Sequence, residues 1–456
     1  MWPPWKPFPT GRALCYGLAV PADRPLEEVV VEPAFAPLLG RESGAFCRLA
    51  NALRSAPPGL WSKGFFQRLA HEANRLESFL DDHGARFNRS FALTRELVAS
   101  ARWLSLAGFS LSHLDARFDT YGLGQTLSPA EQERLRGTLG QARSFLRASI
   151  ERVLHRQRDE YERRGAVWDA GLASPDDADL GTVRRRLPRN LGQEDPADDS
   201  QRVAEIASKF LAACTMLESL DLRVVADANE LRRRIRTVCK EEQARVYEAT
   251  VHNLQSTYDT HIKNTLVETQ DERLPRLRGL LSAALHLLET VTVLAHFVER
   301  HESEARSEPT SHAIAAIVQG DRVRALMLNE LLRWANILMQ RGRVTAEELL
   351  PSYIELRELR VELPPSLKLH ARPAALIVNI VAHHGTPVEL EIGTHRCNAG
   401  SILEILIGVG SNPEVRHFLF RGDIHPLNDI GLLFESNLGE DGLGNLPAAL
   451  RYLRER

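Results

Sequence analysis

Residues 369–374 of this 456-residue chain read LHARPA, and this short stretch joins two segments with different hydrophobic patterns. Before it, residues 359–363 alternate between apolar and charged side chains, which is the period of a half-buried β-strand. After it, apolar side chains recur at helical spacing over residues 376–381 until Gly385, a residue type that commonly ends helices. The sequence therefore predicts a strand, a loop and a helix, with His370 close to the helix start.

The residues at this helix start suit phosphoryl chemistry. A helix start offers free backbone N–H groups and the positive end of the helix dipole, and both stabilise an anion. Pro373 falls in the first turn, where its missing N–H costs nothing. Imidazole is a competent nucleophile when it is unprotonated, so His370 suits a group that accepts a phosphoryl group and releases it again. Arg372 adds a guanidinium group beside it.

The pattern continues beyond Gly385 with alternating and helical segments. The predicted elements are, in order, strand 388–392, strand 396–399, a short apolar helix from Ser401, strand 415–420 and helix 427–438. The first two strands are separated by a Gly-Thr turn, which predicts a hairpin.

Residues 356–440 resemble the histidine phosphocarrier protein, HPr, of the bacterial phosphoenolpyruvate-dependent phosphotransferase system. The active-site loop of that family is similar to residues 370–374, HARPA. The resemblance implies an open-faced β-sandwich, with a four-stranded antiparallel sheet and three helices on one face. The whole chain would then be an α+β protein in which a large all-α helical bundle precedes the HPr-like domain.

The resemblance to HPr also implies a function. His370 would accept a phosphoryl group from phosphorylated enzyme I and pass it to an enzyme IIA-like (EIIA-like) or regulatory acceptor protein. Arg372 would stabilise the phosphate, and Pro373 would start the helix. No cofactor is expected, because the phosphoryl group comes from phosphoenolpyruvate through the donor protein. The partner-docking surface would consist of Ala371, Ile402, Leu403 and Leu406.

Ser401 has two interpretations. It occupies the position of the regulatory serine of the HPr family, which implies a serine kinase as a further partner. Ser401 and Glu404 also form a capping box, in which the hydroxyl and the carboxylate satisfy backbone N–H groups at the helix start. Because such caps are frequent, the capping role is favoured over the regulatory one.

Composition limits the partners and the compartment. The net charge is −3 and the isoelectric point is about 6.6, so no dominant positive field attracts nucleic acid or a membrane surface. The five cysteines are scattered and form no Cys-x-x-Cys pair, which favours reduced thiols. The N-terminus lacks the apolar run of a signal peptide, and no segment approaches the apolar length of a membrane span. We therefore expect a cytoplasmic bacterial protein with protein partners.

The rest of the chain divides into three further parts. Residues 1–61 are rich in proline and show no sustained period, so they are predicted to be an irregular arm. Residues 62–355 carry repeated helical stripes and predict an all-helical bundle, with a mobile linker near residues 170–199 where charged clusters replace the apolar period. Residues 441–456 are predicted to be a C-terminal tail.

One polar cluster in the helical bundle could hold a metal ion or a phosphate. His296, Glu299 and Arg300 share one helix face at spacings of i, i+3 and i+4. No second cluster with Glu-x-x-His spacing accompanies them, and helix ends are normally charged. A solvated helix end is therefore favoured, and no metal site is predicted.

Two functions remain open. The first is a phosphocarrier, rather than a stand-alone enzyme, whose helical region senses or docks. The second is a non-catalytic regulatory scaffold that keeps the HPr-like fold as a protein-docking module. Lys368, at a position where the family commonly has glycine, favours the scaffold, whereas the intact His370, Arg372 and Pro373 favour the carrier.

Overall fold

The computed structural model describes residues 29–55, 61–173, 196–302, 308–364 and 366–454. Within these residues, the buried apolar side chains form two separate clusters, one in the helical region and one that begins at Leu363. Separate cores indicate separate domains. The chain is therefore a helical region followed by a smaller domain that contains the only sheet of the described residues.

Two long helices, residues 92–117 and 273–302, form the centre of the helical region. Its helices are α1 Glu32–Glu42, α2 Gly44–Ser55, α3 Lys63–Asp82, α4 Ala92–Arg117, α5 Leu123–Thr126, α6 Pro129–Arg164, α7 Pro196–Glu218, α8 Ala228–Val238, α9 Glu241–His261, α10 Leu266–Gln270, α11 Arg273–Glu302, α12 Glu308–Ile317, α13 Gly320–Ala325 and α14 Arg333–Tyr353. A π-helical segment, Leu326–Leu332, joins α13 to α14. Helix α4 packs against α3, α6 and α11, and α11 also packs against α9 and α14. The predicted helical bundle is confirmed.

Helix α11 departs from one expectation. It is long and apolar enough, by length and composition, to cross a membrane, although the sequence interpretation finds no segment of that kind. In the structure, 78% of the apolar window is buried inside the protein. Leu280, Leu287 and Val291 have no exposed surface. The apolar composition of α11 is therefore explained by its place in the core, because a core helix is apolar on every side.

The irregular conformation predicted for residues 1–61 is wrong for residues 32–55, where α1 and α2 lie. These helices have 11 and 12 residues, so each shows only a few turns of apolar spacing. Helix α1 also contains Pro37, a residue that normally argues against a helix interior. Burial of Phe35 and Leu39 against the neighbouring helices compensates for this preference.

Parts of the predicted N-terminal arm and of the predicted mobile linker lie outside the described residues. These parts are residues 1–28 and 56–60 of the arm and residues 174–195 of the predicted mobile linker. Helix α7 begins at Pro196, within the range predicted for the linker. On the other side, Ala173 donates its N–H to the Arg48 carbonyl oxygen at 3.1 Å, so this end of the segment is attached to α2.

The C-terminal domain confirms the predicted open-faced sandwich. Its elements are β1 Leu356–Glu362, α15 Ala371–His384, β2 Val388–Ile392, β3 His395–Asn398, α16 Ile402–Ser411, β4 His417–Asp423 and α17 Ile424–Glu435. The strands are antiparallel in the order β1-β4-β2-β3. Phe420 on β4 pairs with Leu359 and Leu390 on its two neighbours, and it is fully buried with Ile377 and Ile430 of the helices. One sheet face is therefore covered by helices.

Ion pairs between neighbouring strands lie on the opposite face of the sheet. Arg421 lies at its centre, where its guanidinium contacts carboxylates on both neighbouring strands. The distances to Glu358, Glu389 and Glu391 are 2.8, 3.1 and 2.7 Å. These pairs keep the face polar.

The tail predicted at residues 441–456 is wrong for the described part. Two 3₁₀ turns, Leu443–Asn445 and Ala448–Arg454, place Leu446, Leu450 and Leu453 in the core of the domain. Leu450 has no exposed surface. The segment was missed because 3₁₀ turns of this length carry too few residues to show a helical period.

The helical region touches this domain at the C-terminal end of α15. Gly385 ends that helix with a φ of +70°, and a Cβ at this position would lie 2.7 Å from Glu205 of α7. Nearby, Gln201 Nε2 lies 3.2 Å from His384 Nδ1, and His384 Nε2 lies 2.8 Å from Asp429 Oδ2. Burial alone would raise the pKa of Asp429, but hydrogen bonding, chiefly with His384, holds it below its ordinary value.

Candidate functional site

His370 is the N-cap residue of α15. Its backbone is extended, and its carbonyl oxygen accepts the first helical hydrogen bond from the Ala374 N–H at 3.0 Å. Its Nδ1 accepts a long hydrogen bond from the Arg372 backbone N–H at 3.4 Å. Pro373 lies buried in the first turn. The imidazole therefore faces the positive end of α15 while 55% of its side chain remains exposed.

A carboxylate faces the other ring nitrogen. Glu440 Oε1 lies 3.2 Å from Nε2 of His370, and this buried oxygen has no hydrogen-bond partner among the described residues. Because Nδ1 faces an N–H donor and Nε2 faces a carboxylate, the neutral ring is expected to carry its proton on Nε2. This tautomer leaves the lone pair on Nδ1, the nitrogen directed at the helix start.

Glu440 is brought to His370 by a left-handed turn. Asn437, Leu438 and Gly439 have φ values of 51°, 55° and 73°. A leucine in this conformation costs about 1–2 kcal/mol, so the surrounding structure must hold it there. Complete burial of the Leu438 side chain in the domain core provides that restraint. The strained turn thus carries the chain from the end of α17 to the imidazole.

Arg416 anchors the loop that leads to His370. Its Nε donates to the Leu363 carbonyl oxygen at 3.1 Å, and its Nη2 donates to the carbonyl oxygens of Leu367, at 3.2 Å, and Pro364. The sequence interpretation missed both Arg416 and Glu440. Each lies far from the HARPA motif along the chain, and no local pattern marks either of them.

Two cations lie two residues from His370 along the chain, one on each side. Lys368 and Arg372 are exposed, and among the described residues neither pairs with a carboxylate. An unpaired guanidinium can form two parallel hydrogen bonds with a phosphate, whereas an ammonium acts as a point charge. The site therefore combines a nucleophilic nitrogen, a helix start and free positive charge.

Ser401 is the N-cap residue of α16, and its hydroxyl accepts the Glu404 N–H at 3.4 Å. The second half of the predicted capping box is wrong, because the Glu404 carboxylate accepts the Asn398 N–H at 2.9 Å instead. The Ser401 N–H donates to the Asn398 carbonyl oxygen. Glu404 thereby ties α16 to the end of β3, and the Ser401 side chain is half-buried.

The residues expected to dock partners lie on one side of the domain, where α15 packs against α16. Ile402 and Leu403 are 40% and 68% exposed, and Ala371 is exposed at the start of α15. Leu406 is half-buried against the core instead of fully exposed. Ile407, which the sequence interpretation did not select, is 49% exposed. Ile402, Leu403, Leu406 and Ile407 together form an apolar patch on α16.

The solvated helix end predicted at His296, Glu299 and Arg300 is wrong. His296 Nδ1 lies 2.8 Å from Glu241 Oε2, and the Glu299 carboxylate accepts the Glu241 N–H at 2.8 Å. Arg300 lies 3.5 Å from the buried carboxylate of Glu77. These contacts join α11 to α9 and α3. The described part of the chain contains no group of three or more His, Cys, Asp or Glu side chains placed to hold a metal ion.

A family model matches part of the C-terminal domain. Residues 358–415 match the family described as "PTS HPr component phosphorylation site". The matched segment contains both His370 and Ser401. No curated protein and no solved structure matches the chain. The C-terminal domain is thus HPr-like in sequence and in fold, which supports a phosphocarrier module of the phosphotransferase-system type and protein partners from that system in general.

Proposed function

We propose, with the HPr-like C-terminal domain as premise, that this protein is a phosphocarrier in a cytoplasmic relay of the phosphotransferase-system type. His370 accepts a phosphoryl group from an enzyme I-like donor and passes it to an EIIA-like or regulatory acceptor. The group originates in phosphoenolpyruvate, and no cofactor takes part. The supporting observation is the exposed His370 imidazole, whose Nδ1 faces the backbone N–H of Arg372 at the start of α15.

The transfer exchanges one phosphorus–nitrogen bond for another. The Nδ1 lone pair of His370 attacks the phosphorus atom while the bond to the donor histidine breaks, and its electron pair returns to the donor nitrogen. The proton on Nε2 stays in place, so positive charge develops on the ring. Glu440, 3.2 Å from Nε2, stabilises that charge. The reverse exchange releases the group to the acceptor.

The start of α15 stabilises the phosphoryl group that the ring carries. The Arg372 N–H already points at Nδ1 and can donate to a phosphoryl oxygen once the nitrogen is occupied. The Arg372 guanidinium is free to bind a second oxygen. Neither group needs to move far, so the stabilisation is preorganised.

The described part of the helical region leaves the site open to other proteins. It contacts α15 near Gly385, at the end opposite to His370. The helix has 14 residues, and a rise of 1.5 Å per residue separates its two ends by about 21 Å. A donor can therefore reach His370 and the apolar patch on α16 without displacing this contact.

The proposal is tested by following the phosphate through the relay. We expect the full-length protein, incubated with phosphoenolpyruvate and enzyme I of the same bacterium, to acquire an acid-labile, alkali-stable phosphate. Added enzyme IIA proteins should remove it. A protein that binds these partners but never acquires the label would instead be the scaffold, in which the HPr-like domain is a docking module.

Replacement of Glu440 by glutamine should slow phosphoryl acceptance about tenfold, because the neutral amide no longer stabilises positive charge on the ring. The same change should shift the ¹⁵N resonances of His370 toward the tautomer protonated on Nδ1. The exposed Glu435, to which the structure gives no ring contact, provides the matched control Glu435→Gln. Unchanged rates and ¹⁵N resonances in Glu440→Gln would show that Glu440 does not position the ring.

Replacement of Leu403 by aspartate should raise the KM for the phosphoryl donor at least tenfold, about 1.4 kcal/mol, with little change in kcat. The reason is that a charge would lie in the centre of the apolar patch on α16. Leu356 is 63% exposed, similar to the 68% of Leu403, but lies on β1. Leu356→Asp should leave the KM unchanged. Equal effects of both variants would argue against docking on α16.

A further inference from the structure

A cavity in the helical region has a cationic lining. It has a volume of about 460 Å³ and lies where the start of α4 meets the end of α6 and the first turn of α12. Small-molecule sites commonly have volumes of about 300–1,000 Å³. Three arginines line it, Arg86, Arg89 and Arg164, whereas Glu96 is the one acidic residue among the described lining residues. Glu96 pairs with Arg95 at 3.2 Å.

The positive charge of these arginines is poorly compensated. Among the described residues, Arg86 and Arg89 pair with no carboxylate. Arg164 lies 3.7 Å from Glu160, but that carboxylate also pairs at shorter distances with Arg156 and Arg163. The Nε of Arg164 is buried and has no hydrogen-bond partner in the described structure. A buried donor of this kind is costly unless a ligand satisfies it.

The start of α4 borders the cavity, where the first-turn residues Ala92 and Leu93 line the wall. Asn88 caps this helix start, because its Oδ1 accepts the N–H groups of Ser90 and Phe91 and its carbonyl oxygen accepts the Ala92 N–H. The Glu32 carboxylate accepts hydrogen bonds from Asn88 Nδ2 and Ser90 Oγ. The positive potential of the cavity therefore comes chiefly from its arginines.

The charges of Arg95 and Arg86 also act on Arg300, near the end of α11. Burial lowers the pKa of Arg300, and the positive charge of Arg95 and then of Arg86 lowers it further, against the opposing effect of Glu77. The positive charge of Arg86 therefore adds to the potential at this helix end.

The lining also contains an apolar part. Leu93 and Pro309 lie in the wall, and Phe87 is 90% exposed beside Arg86, whose guanidinium carbon lies 5.9 Å from the ring centroid. An aromatic side chain with this exposure offers a stacking surface to a planar or apolar group.

We infer that this cavity binds a phosphorylated small molecule, with its phosphate on Arg86, Arg89 and Arg164 and its apolar or ring portion against Phe87 and Leu93. A phosphate dianion fits better than a singly charged carboxylate, because three guanidinium groups line the cavity and the one acid among its described lining residues, Glu96, is already paired with Arg95. The helical region would then respond to a phosphorylated metabolite. This inference does not depend on phosphoryl transfer by His370.

Phenyl phosphate is a suitable probe, because it combines a dianion with an aromatic ring. Isothermal titration of the full-length protein, at constant ionic strength, should show saturable binding with one site. The neutral analogue benzyl alcohol should bind at least tenfold more weakly. The double variant Arg86→Ala, Arg89→Ala should weaken phenyl phosphate binding at least tenfold.

A control variant separates this cavity from other cationic surfaces. Arg233 and Arg236 are exposed on α8, and their double alanine variant removes the same charge without touching the cavity. This variant should bind phenyl phosphate as the wild type does. No saturable binding up to about 10 mM, or an equal loss in the control variant, would overturn the inference.

Discussion

Replacement of His370 by alanine should abolish the acid-labile phosphate on this protein completely, the largest loss of activity that we expect from a single substitution. Alanine removes the Nδ1 lone pair, and the groups that remain at the site can bind a phosphate but cannot form a bond to it. The fold should persist, because the imidazole contributes one long hydrogen bond of 3.4 Å to the helix start, and loss of a cap costs about 1 kcal/mol.

A second exposed histidine of the same domain provides the matched control. His417 lies on β4 and is exposed, and the structure gives its side chain no contact with the site. His417→Ala should take up phosphate at the wild-type rate and to the wild-type level. Equal labelling of His370→Ala and the wild type would place the phosphate on another residue and would contradict the proposed role of this imidazole.

Replacement of Leu450 by alanine should lower the free energy of unfolding of the C-terminal domain by about 3 kcal/mol, within the usual range of 2–5 for a buried leucine. Leu450 has no exposed surface and packs into the same core as the sheet and helices of the HPr-like domain. The measurement is native-state hydrogen exchange of the amides of α15 and α17 in the full-length protein, since these report opening of the domain.

The neighbouring Arg451 is exposed and serves as the control for Leu450. Arg451→Ala should change the same opening free energy by less than about 0.5 kcal/mol. If Leu450→Ala were equally harmless, residues 443–454 would be a loosely attached tail, as the sequence predicts.

The C-terminal domain could be predicted because its signals are local. Alternating residues mark the strands, and the HARPA motif with Gly385 marks both ends of α15. The last two elements are displaced from their predicted positions, since β4 runs to Asp423 and α17 ends at Glu435. The end of α17 was overestimated because Leu438 continues the apolar period but adopts a left-handed conformation.

The rest of the site could not be predicted, because it depends on contacts between distant parts of the chain. Glu440 reaches the imidazole only through the turn after α17, and Arg416 reaches the loop carbonyl groups from the segment before β4. Helix α1 shows the same limit, since burial of Phe35 and Leu39 outweighs the presence of Pro37. In each case tertiary packing determines the conformation or position of these residues, and the local sequence preference does not.

The helical region illustrates a further limit. Its stripes predict that it is helical, but whether a charged residue is solvated or buried depends on which helices become neighbours. The sequence predicts a solvated, charged helix end at His296 and Arg300. In the structure His296 contacts Glu241, and Arg300 contacts the buried Glu77. The cavity near Arg86 is likewise formed by three separate helix ends and has no motif in the sequence.

The most direct test of the central claim is nitrogen-resolved NMR of the histidine rings after phosphorylation. Full-length protein labelled with ¹⁵N-histidine would be treated with phosphoenolpyruvate and enzyme I, and the ring resonances would be compared before and after. We predict that one phosphoryl group appears on Nδ1 of His370, with the proton retained on Nε2 beside Glu440. A phosphoryl group on Nε2 or on another residue, or no change in any ring, would contradict the account.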